Sequence, residues 1–158
     1  MTQTLSKTSE SSFPGPTIEA FEALEVVPDE FDHEAHVYVA WRYLQQFDLL
    51  ASIDRYRSVL RRLTRKLGVP GKYHETITWF YLIAVAERAT GDAATDWSAF
   101  KNLNAELFAR SPGVLQRFYS DARLMSEEAR HTFLLPDLSP AEMGRSLPYS
   151  GTKISSID

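Results

Sequence analysis

The chain has 158 residues, 44% of them apolar and 24% charged, with a formal net charge of −4. That length supports one domain with one core of ordinary size, and the mild acidity gives no global attraction for nucleic acid. There is no cysteine, which excludes disulfides, thiolate metal sites and cysteine nucleophiles and fits a reducing, cytoplasmic setting.

Residues 1–16 are rich in Ser, Thr and Pro, carry no apolar run of the signal-peptide kind, and are expected to form a disordered arm ending in Phe13-Pro14-Gly15-Pro16. Thr17 can cap a short helix that carries Ile18, Phe21 and Leu24 on one side and stops near Pro28. Asp29 or Asp32 can cap the next helix, which reaches about Phe47. Its inward stripe reads His33, His36, Val37, Ala40, Trp41, Leu44 and Phe47. A third helix, from about Leu49 to Leu67, shows a bundle seam in Leu49, Ile53, Tyr56, Leu60, Leu63 and Leu67. Arginines occupy its other side. Gly68 ends it, and Pro70-Gly71 makes the turn.

A fourth helix is expected from near Lys72 to about Ala89. Its residues Ile77 to Ala86 are apolar almost all round, as in a helix buried at the centre of a bundle; this longest apolar stretch is too short to cross a bilayer. Asp96 can cap a fifth helix over Thr95 to about Ala109, and shorter turns follow at Val114–Tyr119 and Ser126–Phe133. Pro136 closes the ordered part. The fold class expected is all-α, an up-and-down bundle of four main helices with additional short helices. Residues 17–138 form one domain, and 139–158 form a loose C-terminal tail.

Two short strings carry chemistry. Phe31-Asp32-His33-Glu34-Ala35-His36 opens the second helix, and Lys72-Tyr73-His74-Glu75-Thr76-Ile77-Thr78 opens the fourth. Residues three apart share a helix face, so His33 and His36 are neighbours, and His74 joins them if the two helices pack together. Three imidazoles with a carboxylate nearby make a shell for a divalent transition metal such as Zn, Fe or Cu. Glu75 would be the fourth ligand or a general base toward metal-bound water. Tyr73 would donate a proton or orient the substrate, and Trp41, Thr76 and Thr78 would line the pocket. The competing reading is a buried polar cluster in which the histidines hydrogen-bond backbone groups and hydroxyls and fix helix register.

Charge is uneven. From Glu10 to Glu34 there are acids and no Lys or Arg, whereas Arg55, Arg57, Arg61, Arg62, Arg65 and Lys66 run without an acid. The two segments can pair within one fold or with a second copy as a homodimer, or be solvated faces.

The strings Phe31-x-His33-x-x-His36 and Lys72-Tyr73-His74-Glu75-Thr76-x-Thr78, with Phe118-Tyr119-Ser120 and Pro136-Asp137-Leu138 further on, resemble an uncharacterised family of small helical bacterial proteins. The resemblance covers roughly residues 18 to 138 and implies that the histidine strings belong together; it supplies no activity. The architecture is also similar to the DinB-type thiol transferases, bundles that bind a metal through three histidines. There the pattern is one early His and a late His-x-x-x-His pair, the reverse of the order here.

Two functions are therefore expected as alternatives. One is a metal-dependent enzyme acting on a small-molecule substrate, its metal held by His33, His36 and His74. The other is a non-enzymatic helical binding or interaction module whose buried histidines are structural. Neither a nucleic-acid nor a membrane partner is expected.

Overall fold

In the computed structural model each main helix begins where a capping side chain meets a periodic apolar run. Residues 15–110 and 113–138 are described; the expected arm up to residue 14 and the expected tail from 139 lie outside them. Helix α1 (Ile18–Glu22) is capped by Thr17, α2 (His33–Gln46) by Asp32, and α3 (Leu49–Lys66) by Asp48. The ring of His74 caps α4 (Glu75–Arg88), and Asp96 caps α5 (Trp97–Leu103). Ser120 and Ser126 cap the short α6 (Asp121–Leu124) and α7 (Glu127–His131). In every case a side-chain acceptor satisfies a backbone N–H that has no partner inside the helix. The described residues contain no strand, so the fold is all-α as the sequence predicts.

Only Phe47 and Asp48 join α2 to α3, and a connection that short makes neighbouring helices antiparallel. Helix α4 packs against both of them. The core has two lobes. Phe21, Tyr43, Ile53, Tyr56, Leu60, Leu63 and Leu82 fill the space among α1, α2, α3 and α4. Val37, Trp41, Val85, Trp97, Phe100 and Leu107 fill the space among α2, α4 and α5. Because α2 lies between the lobes it is buried on more than the expected stripe: Val39 and Tyr43 are fully enclosed as well. Helix α4 is less central than its composition suggests. Trp79, Phe80, Tyr81 and Ile83 are only half-buried, and the C-terminal segment covers part of them through a Trp79–Phe133 stack at 5.1 Å and a Phe80–Phe118 contact at 5.3 Å.

Two boundaries differ from expectation. The fifth helix ends at Leu103 rather than near Ala109, because the Asn104 side chain donates to the Phe100 carbonyl at 2.9 Å. This local side-chain bond competes with helix continuation, and a 3₁₀ turn follows over Ala105–Phe108. The fourth helix starts at Glu75, not Lys72; Pro70–Lys72 form a 3₁₀ turn and Tyr73 and His74 are extended. At the end of α3 the prediction holds. Gly68 has φ +72°, the left-handed cap that glycine adopts without a Cβ clash.

The uneven charge is used within the fold. Arg55 pairs with Glu22 at 3.5 Å, while Arg62 donates to the Glu22 carbonyl and Lys66 to the Leu24 carbonyl. The basic side of α3 thus holds the C-terminal end of α1, whose last carbonyls need donors.

Candidate functional site

A cavity of about 480 Å³ lies among α2, α3 and the start of α4, closed on one side by the α1–α2 connection at Val26, Pro28 and Phe31. Its wall is largely aliphatic and aromatic. His33, His36 and His74 all reach it, so the structure does bring the two histidine strings to one place. What it does not do is aim them at a common point.

His33 is the first residue of α2, and its Nε2–H donates to the carbonyl of Leu107 at 2.6 Å. That bond ties α2 to the turn after α5. The ring meets Tyr81 edge-on at 5.0 Å. His36 lies one turn further, its Nδ1 at 3.1 Å from the Tyr56 hydroxyl, which itself donates to the His36 carbonyl at 3.1 Å. With the hydroxyl proton on that carbonyl, Nδ1–H donates to the Tyr56 oxygen and Nε2 is left as an acceptor. Part of the His36 ring is open to the cavity, yet burial, reinforced by the neighbouring His33 and only partly opposed by Asp32, lowers its pKa to about 4. At neutral pH His36 is uncharged. Burial raises the Tyr56 hydroxyl far above its ordinary range, so it stays protonated.

His74 spends both nitrogens. Nδ1 accepts the Ile77 N–H at 3.2 Å, and Nε2–H donates to the Leu124 carbonyl at 2.7 Å. A ring used in this way has no lone pair to give a metal. Among the described residues no group of three or more His, Asp and Glu side chains is placed to hold a metal ion. In this arrangement the three rings have separate partners: His33 and His74 donate to the Leu107 and Leu124 carbonyls, whereas His36 bonds the Tyr56 hydroxyl. The cause is the start of α4, which makes His74 a cap rather than a face residue.

The residues expected to act beside the metal are also distributed otherwise. Glu75 does not line the cavity. It is buried, with Oε1 accepting from Arg57 at 2.9 Å and from Trp79 Nε1 at 3.0 Å, and Oε2 accepting from the Tyr73 hydroxyl. Burial alone would raise its pKa, but the bonds from Tyr73, Trp79 and Arg57 and the Arg57 charge outweigh this and hold it below the ordinary carboxylate value. A carboxylate so saturated is a poor general base. Tyr73 does line the cavity, but its hydroxyl is committed to Glu75, and burial together with that carboxylate raises its pKa.

Trp41 and Thr76 lie away from the cavity. Trp41 donates to the Ala93 carbonyl at 2.8 Å and packs with Trp97. Thr76 is fully buried under the C-terminal segment; its hydroxyl faces the carbonyls of Ala129 and Thr132 at 2.7 and 2.8 Å and accepts the Leu134 N–H at 3.1 Å. Thr78 is on the wall, donating to the His74 carbonyl at 2.8 Å. Four partners were absent from the sequence reading: Tyr56, the Leu107 and Leu124 carbonyls, and Arg57. Only the Glu75–Trp79 pair, four apart on one helix, had a local signal.

No family model matches this chain, and comparison with curated proteins and with solved structures gave no significant match.

Proposed function

We propose that the chain is a helical binding module that takes a small, mostly apolar molecule into the cavity between α2, α3 and α4. In this reading the three histidines are structural ties that also supply the polar part of the wall, and His36 is neutral. The observation that carries it is the cavity. Protein interiors hold few voids larger than a water molecule, whereas about 480 Å³ is open here, within the roughly 300–1,000 Å³ of small-molecule sites. Apolar walls with a few placed polar groups are the usual composition of such sites.

The polar groups indicate the ligand's chemistry. Among the described residues no carboxylate lines the cavity, and Lys72, exposed at its edge, is the one fully charged side chain there. A cationic ligand has no counter-charge. A neutral molecule with one hydroxyl does better, because the free Nε2 of neutral His36 accepts its proton while the apolar body meets Leu60, Leu63 and Leu82.

2-Naphthol is a suitable probe. Titrated into protein with ¹³C-labelled methyl groups, it should shift the Val37, Leu60, Leu63 and Leu82 signals saturably. Ala40→Leu, which places extra side chain on the cavity wall, should weaken that binding at least tenfold while the rest of the spectrum persists. Shifts that do not saturate, or that fall on exposed residues such as Leu50 and Leu103 and not on the cavity, would reject the proposal.

A further inference from the structure

A second, smaller depression of about 150 Å³ lies where the end of α3, the Pro70–Lys72 turn and α7 meet. Arg61, Arg65, Arg130 and His131 all border it, and among the described residues no carboxylate does. The other basic side chains of α3 with contacts already described have protein partners: Arg55 with Glu22, Arg57 with Glu75, Arg62 and Lys66 with carbonyls at the end of α1. Among the described residues, Arg61, Arg65 and Arg130 form no ion pair with a carboxylate. Three guanidinium groups around one hollow repel one another, and an anion placed between them relieves that repulsion.

Two of the three are held in place. Arg130 Nη1 donates to the Gly71 carbonyl at 2.6 Å, which fixes the plane of its guanidinium and leaves Nε and Nη2 for another acceptor. Arg61 lies over the Tyr73 ring at 5.3 Å, a cation–π contact that orients it without using its N–H groups. Tyr73 is fixed in turn by its bond to Glu75. His131, exposed and 3.3 Å from Glu127, sits at the margin. Planar N–H forks are the groups that recognise tetrahedral oxyanions bidentately, and three of them border this one hollow. The hollow is too small for a drug-sized body, so it takes a head group.

We infer that Arg61, Arg65 and Arg130 form a binding site for a phosphate dianion, esterified or free, separate from the apolar cavity although Tyr73 and Thr64 border both. The site does not depend on what the cavity binds.

The test is a titration of the full chain with phenyl phosphate at pH 7.5 and constant ionic strength, read from the arginine ¹⁵Nε–¹H signals and the Gly71 amide. Parallel titrations use inorganic phosphate and chloride. Saturable shifts at Arg61, Arg65 and Arg130 with both phosphates, and none with chloride, are the expected result. Tighter binding of phenyl phosphate would mark an esterified ligand, and equal binding would mark the free ion; either supports the site. Arg61→Gln with Arg65→Gln should weaken phosphate binding at least tenfold, since each removes a charge-assisted hydrogen bond. The same double variant should bind 2-naphthol as the native chain does, which separates failure here from failure of the cavity reading. Arg130→Lys keeps the charge but loses the fork and should weaken phosphate several-fold. Equal, unsaturating shifts with chloride and phosphate, or phosphate affinity unchanged in the double variant, would overturn the inference.

Discussion

Acidification from pH 7.5 to 4.5 is the perturbation that isolates His36. In the folded chain its pKa is lowered from 6.5 to about 4, mainly by burial. The unfolded chain takes up a proton at this residue as pH falls through 6.5, while the folded chain does so only near 4. The stability His36 confers is therefore complete above 6.5 and is lost as pH falls toward 4. At about 1.4 kcal/mol per pH unit, the ceiling on this loss is about 3 kcal/mol, and most of it is spent by pH 4.5. Water entering the cavity screens the ring and reduces the figure, so about 2 kcal/mol is a fair expectation. Other acids contribute to the same limb, and the His36→Asn variant removes them by subtraction. Asn keeps a hydrogen-bonding group near the position of Nδ1 and does not titrate. Urea unfolding followed by tryptophan fluorescence gives both stabilities at each pH, provided the m-values agree. The native-minus-variant difference should fall by about 2 kcal/mol between pH 7.5 and 4.5. Curves that stay parallel within about 0.5 kcal/mol, below the size of a lost hydrogen bond, would refute the assignment of His36 as a buried neutral ring.

Further outcomes follow from the same contacts. Glu75→Gln should cost about 2–3 kcal/mol at pH 7, since it leaves the partly buried Arg57 without its counter-charge; in the native chain this contribution is present above the ordinary carboxylate value of 4.5 and is lost as pH falls through the lowered one, so the variant's penalty should shrink in acid. Thr76→Val should cost about 1–3 kcal/mol by leaving buried carbonyl and amide groups unpaired, and hydrogen exchange should speed up at Leu134 and around α7 before it does so in α2. Zinc in tenfold excess, or chelator, should leave the melting temperature unchanged at pH 7.5, because metal binding by His74 would cost its bonds to Ile77 and Leu124; a rise of several degrees with zinc that disappears in His36→Ala would restore the metal reading.

The helices with strong periodicity and an Asp or Thr cap were legible in the sequence, because both signals are local. Thr17, Asp32 and Asp96 each precede an apolar run and each caps it, whereas the cap of α3, Asp48, was not read from the sequence. The start of α4 was not legible: His74 is an uncommon cap residue, and the apolar pattern continues smoothly through it. That single boundary sets what the His74 ring does here, since a cap uses Nδ1 on the backbone. The gathering of the two histidine strings at one cavity could be anticipated from α2 and α4 packing together. Their separate ties could not, because Leu107 and Leu124 present backbone carbonyls that any residue type would carry. Glu75 was misplaced for a related reason. Its partner Arg57 lies on another helix, and nothing local to α4 marks that pairing.

The claim that the cavity is a ligand site is tested most directly by intermolecular nuclear Overhauser effects in the 2-naphthol-saturated protein. Contacts from the naphthol ring to the methyl groups of Leu60, Leu63 and Leu82, with a shift of the His36 Nε2 resonance, are the predicted result. Contacts confined to the exposed side chains of Val27, Leu50, Leu103 or Met125, with His36 undisturbed, would contradict it.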